Sequence, residues 1–253
     1  MNRVTFTICC VLLLSSQAVG LAPIGPASSG LDQGQFAIGT EYVKGDFMTG
    51  FENSIYTYSG LGPVRTVRQP GKIPAEVDLD GFLGKLSYGL TDRCLVFARI
   101  GQVEIDSEKD FTWGLGTKMT VAESETIDLG LTAQIIFLTN EENLDVPGFM
   151  YAEGKADFSV AQVAIGPVYK SVGFCLYGGP FFAWVNGDGD ITGRFVLGET
   201  PVDVKASFDV KRDIELGVYI GMSIELVKNL DVLAEYQLAN DWDMFGAGLS
   251  FEF

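Results

Sequence analysis

At 253 residues, with 33 acidic against 17 basic side chains and a formal net charge of −16, the chain is a poor partner for nucleic acid. It contains no histidine, which removes Ser/His and Cys/His nucleophiles, Asp/His water activation and imidazole-ligated metals. Yet 47% of its residues are hydrophobic and its mean hydropathy is +0.22, greasy for a soluble domain so heavily charged.

The N-terminus carries a pattern of its own. Arg3 precedes an apolar run over residues 8–14, followed by Ser15, Ser16, Gln17 and the small-residue pattern Ala18-Val19-Gly20. A charged region, a short apolar region and a small-residue site make a secretory signal peptide, residues 1–20. Cleavage is placed after Gly20, because a cut after Ala22 would leave Pro23 first. The apolar run is far short of the ~20 residues a membrane helix needs. Cys9 and Cys10 lie too early to form a lipoprotein acylation site. Residues 21–33 are rich in Pro, Gly and Ser and read as a flexible periplasmic leader.

From residue 34 onward, no segment holds an apolar period of 3.6 for long, and no apolar stretch approaches ~18 residues. Alternation dominates instead. The first strand is predicted over residues 35–43. Phe82, Leu86, Tyr88 and Leu90 then make one outward face, and residues 94–105 follow the turn at 90–93. Residues 111–121 set Phe111, Trp113, Leu115, Met119 and Val121 against Thr112, Gly114, Gly116, Lys118 and Thr120. Residues 127–137 do the same, and 156–169 pairs with 174–185 about the turn at 170–173.

The clearest strand is 214–226: Ile214, Leu216, Val218, Ile220, Met222, Ile224 and Leu226 share a face opposite Glu215, Gly217, Tyr219, Gly221, Ser223 and Glu225. The same outward parity is predicted upstream through Val204, Ala206, Phe208 and Val210. That total far exceeds the ~9–11 residues of a spanning strand. Either a hairpin projects beyond the membrane or residues 211–213 turn, and the projecting hairpin is preferred. Residues 230–240 and 243–253 complete the set. About ten strands result, secure to within one hairpin, so that eight or twelve are alternatives. Short turns at 90–93, 122–126, 170–173 and 227–229 alternate with longer stretches at 44–76, 139–153 and 186–201. This asymmetry suits a transmembrane antiparallel up-and-down β-barrel. Trp113, Trp184, Trp242, Tyr42 and Tyr151 are expected in aromatic girdles.

The end of the chain carries a family resemblance. Phe245, Ala247, Leu249, Phe251 and Phe253 share one face, and Gly246-Ala247-Gly248-Leu249-Ser250-Phe251-Glu252-Phe253 resembles the C-terminal recognition signal of bacterial outer-membrane β-barrel proteins. Gly248, Phe251 and Phe253 match that signal, whereas Gly246 stands where a polar residue is usual. The turn Tyr88-Gly89-Leu90-Thr91-Asp92-Arg93 is similar to periplasmic turns of small porin-like barrels. The resemblance implies location in the outer membrane of a Gram-negative bacterium, contact with lipopolysaccharide and insertion by the β-barrel assembly machinery. It implies no activity. Barrel proteases, phospholipases and lipid A deacylases resemble this architecture but rely on a histidine, so no enzyme, catalytic residue or cofactor is expected.

Three side-chain sets remain. Cys94 and Cys175 begin strands far apart in order, too far for the ~7 Å limit of a disulfide, and are expected free. The stretch Asn186-Gly187-Asp188-Gly189-Asp190 spaces oxygen ligands as calcium sites do. Its first and twelfth loop positions hold Trp184 and Phe195, however, so a flexible loop tip is preferred and no metal is assigned. Finally, Arg99, Lys85 and Lys118 are expected to face Glu41, Asp128, Glu215, Glu225, Asp231 and Glu235 across the lumen. Lumen glycines at 114, 116, 130, 217, 221, 246 and 248 leave it less crowded. The expectation is a monomeric, porin-like passive pore for small solutes or cations. The alternative is a non-conducting, adhesin-like barrel acting through long external loops. A histidine-free enzyme and a soluble periplasmic barrel are the lesser rivals.

Overall fold

A computed structural model describes residues 22–59, 64–69, 73–105, 108–143, 149–197, 199–240 and 242–253. Residues 1–20, read as the signal peptide, lie outside the described residues. Eleven strands follow in order: β1 (Phe36–Ser59), β2 (Arg65–Gln69), β3 (Ile73–Thr91), β4 (Cys94–Ile105), β5 (Glu108–Glu123), β6 (Ile127–Asn143), β7 (Phe149–Ser171), β8 (Phe174–Leu197), β9 (Thr200–Val227), β10 (Leu230–Ala239) and β11 (Trp242–Glu252). From β3 to β11 each pairs antiparallel with the next, and β1 closes on β11 from Ala37↔Glu252 to Phe47↔Trp242. β2 and β3 both lie along β1, against residues 54–58 and 36–51, and so occupy one position in the wall. The result is a closed ten-stranded barrel with no helix among the described residues. Closure leaves no edge whose backbone groups would go unpaired in lipid.

The predicted alternation sets which side chains face out. Ile214, Val218 and Ile220 are 70%, 57% and 68% exposed, while Tyr219 between them is 3% exposed. A row of this kind belongs in hydrocarbon. At the end carrying the short turns, Phe36 lies 4.7 Å from Tyr88 and 6.0 Å from Phe253, ring centre to ring centre. Toward the opposite end, Tyr42 contacts Phe82 and Trp113 stacks on Phe137 at 4.4 Å. Along β8, exposed Phe174 and Trp184 are ten residues apart, roughly 33 Å of strand, which at a tilt of about 40° spans an apolar band of about 25 Å. These rings form the two girdles. Tyr151 does not join them: it stands further out on β7, opposite Arg194, whose guanidinium lies 5.9 Å from its ring. The Trp242 side chain lies outside the described residues.

The projecting hairpin exists and is larger than predicted. β8 and β9 remain paired out to Leu197↔Thr200, so residues 186–190 are strand rather than loop. The β10–β11 hairpin is short, and above it β1 transfers its pairing to β9, from Phe51↔Val210 to Ser59↔Asp203. One expectation fails here. Val204, Ala206 and Phe208 point inward and are buried, not outward. Between Ala183↔Glu215 and Val185↔Arg212, β9 advances three residues while β8 advances two. This bulge inserts one extra residue, and a one-residue slip moves every side chain beyond it to the other face.

Single cysteines at Val218 and Tyr219, with Cys94 and Cys175 replaced by alanine, test the assigned faces. A lipid-soluble maleimide should label the Val218→Cys protein in bilayers and leave the Tyr219→Cys protein unreacted; equal labelling would contradict the orientation.

Candidate functional site in the lumen

Alternation along β1, β3, β4, β5, β6, β7 and β10 turns Glu41, Lys85, Arg99, Lys118, Gln134, Gln162, Glu235 and Gln237 inward. All but Lys85 are nearly inaccessible to solvent. Their spacing lets them join across the cylinder. Arg99 Nε donates to Glu41 Oε2 at 2.6 Å, and Lys85 Nζ to Glu41 Oε1 at 2.9 Å. Arg99 Nη1 donates to Gln134 Oε1 at 2.6 Å. The amides then run in one direction: Gln134 to Gln162 at 2.6 Å, Gln162 to Gln237 at 2.9 Å, and Gln237 to Glu235 Oε1 at 2.7 Å. The Arg99 guanidinium also lies 4.5 Å from the Phe97 ring centre.

What this belt holds is the N-terminal segment. Residues 22–33, expected as a flexible periplasmic leader, turn back into the barrel beside the start of β1. The turn is fixed where Gly34 N donates to Gly89 O at 2.8 Å and Gln33 N to Asp92 Oδ1 at 3.0 Å. Ala22, Ile24 and Ala27 are fully buried. A backbone inside a barrel has no ladder partner, so side chains must satisfy it. Ile24 N and Gly25 N donate to the two oxygens of Glu235 at 2.8 and 2.7 Å. Pro23 O accepts from Arg99 Nη2 at 2.6 Å, Pro26 O from Lys118 Nζ at 2.8 Å, and Ala22 O from Gln134 Nε2 at 3.2 Å. Ser29 N donates to Thr120 Oγ1 at 3.0 Å.

The prolines fit this role because they bring no amide hydrogen that the lumen would have to pair. Gly25 has φ +69°, and a Cβ there would sit 2.6 Å from Lys118 Nζ. At Gly130 a Cβ would fall 2.3 Å from both the Ala27 carbonyl carbon and the Ser28 nitrogen. The lumen glycines therefore do not widen a pore. Gly130 and Gly246 make room for the segment, whereas Gly116, Gly217 and Gly221 seat the rings of Phe97, Phe181 and Tyr177.

Beyond the belt, on the side away from the short turns, the interior is mostly apolar, with Thr112 and Asp110 among its buried groups. Ala22 and Ile24 join one continuous core with Val43, Leu138, Val160, Phe181 and Val185, which reaches Phe158, Ile191 and Phe208 in the projecting strands. Interiors of this kind are packed to crystal-like density. The passage is thus filled at two successive levels.

The remaining expected groups sit elsewhere. Asp128 pairs with Lys170, a partner the sequence pattern did not supply, at 2.8 Å. Glu225 and Asp231 face each other at the mouth near the short turns. Glu215 is half-buried on β9 opposite Ala183, just past the bulge. Cys94 and Cys175 carry no disulfide. Asn186, Asp188 and Asp190 are exposed at alternate positions of β8, and Asp190 accepts from Ser207. No group of three metal-ligating side chains occurs among the described residues. Outside the membrane, Arg194 beside Asp203 holds that carboxyl below its usual range.

No family model matches the chain, and no curated protein matches it. Among solved structures, it is similar to the translocator domain of the autotransporter NalP from Neisseria meningitidis. That likeness has 10% identity over 89% of this chain and 90% of the other, with a TM-score of 0.45. The outer membrane protease OmpT from Escherichia coli shows 11% identity over 86% and 97%, with a TM-score of 0.44. The toluene transporter TodX from Pseudomonas putida shows 10% identity over 94% and 99%, with a TM-score of 0.39. No activity passes from any of them to this chain.

Replacing Arg99 with alanine leaves Glu41 buried beside Lys85 alone and strips Pro23 O of its donor. Losing one partner of a buried ion pair costs about 3–5 kcal/mol. Urea unfolding of the Arg99→Ala barrel in bilayers should show a loss of that size, whereas Arg93→Ala, at an exposed pair, should change stability by less than about 1 kcal/mol.

Proposed function

We propose that this protein is a non-catalytic barrel of the bacterial outer membrane whose lumen is stoppered by its own N-terminal segment and which acts through its extramembrane parts. One observation carries the reading: residues 22–29 lie across the lumen with their backbone hydrogen-bonded to Arg99, Lys118, Thr120, Gln134 and Glu235. Ions cross a barrel through continuous water, and here both a hydrogen-bonded segment and an apolar core stand in the way. The apolar outer band and the paired girdles support the membrane assignment. The C-terminal Gly248, Phe251 and Phe253 support insertion by the β-barrel assembly machinery.

The external working part is the sheet in which β2, β1, β9, β8, β7 and β6 run on past the β10–β11 hairpin. Its outward face carries Glu153, Lys155, Asp157, Asp188, Asp190, Arg194, Asp203 and Lys205, mixed charge at the level of lipopolysaccharide and beyond. Because it is built from paired strands rather than loops, it presents a fixed surface. Such a surface suits recognition of a partner better than permeation.

The porin-like reading, a passive acidic pore, requires both blocks to be gone. At and near the belt the acids are also committed: Glu41 to Arg99 and Lys85, Glu235 to backbone amides, Asp128 to Lys170. Purified, folded protein in planar bilayers should give no unitary current steps in 1 M KCl. Regular ohmic steps from the unmodified protein would overturn the proposal and restore the passive pore.

A further inference from the structure

At the end carrying the short turns, below the belt, a cavity of about 410 Å³ opens between the N-terminal segment and the wall. Its inner end is marked by Lys118, which is 5% exposed. The charges gathered there do not balance. Lys85, Arg99 and Lys118 are three cations; Glu41 and Glu235 are two anions. Glu41 is taken by Arg99 and Lys85. Glu235 is taken by Ile24 N, Gly25 N and the Gln237 amide. Lys118 gives a single hydrogen bond, to Pro26 O, and no carboxylate of the described residues lies within ion-pairing distance of it. An ammonium buried without a counter-charge is costly, and an ammonium has three donors to give. The site lacks one anion.

The mouth has the opposite sign. Glu225 stands directly across from Asp231, and Glu252 lines the same rim. On the other wall Asp128 is already neutralised by Lys170. Between the ends the cavity is lined by Leu31, Leu95, Val168 and Leu233. An anion alone would meet the carboxylate rim on its way in, and a cation alone would meet Lys118 at the bottom. A molecule with a carboxylate at one end, an ammonium at the other and a small apolar body between satisfies all three zones.

We propose that this cavity is a binding site for short zwitterionic peptides. The peptide C-terminal carboxylate enters first and takes the Lys118 ammonium. The N-terminal ammonium rests between Glu225, Asp231 and Glu252. Lys118 lies five residues from the end of β5, about 17 Å of strand at about 3.4 Å per residue, which at a tilt of about 40° leaves roughly 13 Å to the rim. That length suits a di- or tripeptide better than a single amino acid. The site is built partly from residues 25–31, so occupancy also ties the N-terminal segment to the wall on the side where it enters.

Isothermal titration of the folded, full-length barrel in detergent micelles tests this, with trialanine as the probe against a micelle blank. Acetyl-trialanine lacks the ammonium and trialanine amide lacks the carboxylate. Saturable heat is expected with trialanine, and at least tenfold weaker binding with either blocked form. Lys118→Met should abolish binding of trialanine, and Glu225→Gln with Asp231→Asn should remove the preference for trialanine over its acetylated form. Absence of saturable heat with all three probes would overturn the proposal, as would unchanged binding to a folded Lys118→Met barrel. Should that variant not fold, the native chain still decides, because trialanine amide binding as tightly as trialanine would equally overturn it. Conductance is not read in this experiment, so its failure leaves the stoppered-barrel reading to stand or fall on bilayer recordings.

Discussion

The arrangement depends on one constraint: a polypeptide placed inside a membrane barrel must find a donor or acceptor for every backbone group it brings. Arg99 and Glu235 meet most of that demand. Arg99 anchors Glu41 and Gln134 while its Nη2 also donates to Pro23 O, and Glu235 spends both oxygens on consecutive amides. Without the segment Arg99 would keep Glu41 and Gln134, but Glu235 would be left with Gln237, and a buried charge short of partners costs several kcal/mol. Segment and belt are therefore mutually required. The prolines at 23 and 26 lower the demand by contributing carbonyls without amide hydrogens.

The two halves of the interior follow different physics. Around the belt, polar groups are held by directional bonds, and the three glutamines chain donor to acceptor across β6, β7 and β10. Further out the interior resembles the core of a soluble domain, with Phe158 and Phe208 seated against Gly187 and Gly189. The bulge in β9 marks the change. It lets one strand point Ile214 and Val218 at lipid and, beyond the slip, point Phe208 and Val204 at the core. A strand without that slip would expose Phe208 to water or bury the charged face of the projection.

Much of the wall was legible in the sequence because a strand has a period of two and this one alternates cleanly. The faces of residues 214–226 and 230–240, the ten wall positions, the short turns and the projecting hairpin are all read from alternation and turn chemistry. The inward groups Arg99, Lys85, Glu41 and Glu235 were legible for the same reason. The bulge was not, because the apolar residues Val202, Val204, Ala206 and Phe208 keep the even parity of Ile214 to Leu226, so nothing in the alternation marks the slip between them. Residues 186–190 misled through composition: Asn, Asp and Gly suit turns, but here the glycines at 187 and 189 alternate inward beneath aromatic rings. The N-terminal segment was misplaced because Pro, Gly and Ser describe a linker as well as a backbone tailored to a crowded lumen. A signal was present nonetheless. Ala22, Ile24 and Ala27 are too apolar for a solvated tether.

Water access to the lumen segment tests the central claim most directly. In a barrel whose native cysteines are replaced by alanine, Ile24→Cys and Gln33→Cys proteins would be reacted with a water-soluble maleimide, folded and then unfolded. Ile24 is fully buried and Gln33 is exposed at the entry turn. The account predicts at least a hundredfold slower reaction at position 24 than at 33 in the folded barrel, with the difference vanishing on unfolding. Equal rates in the folded state would mean that the segment hangs in solvent, and the stoppered lumen would be contradicted.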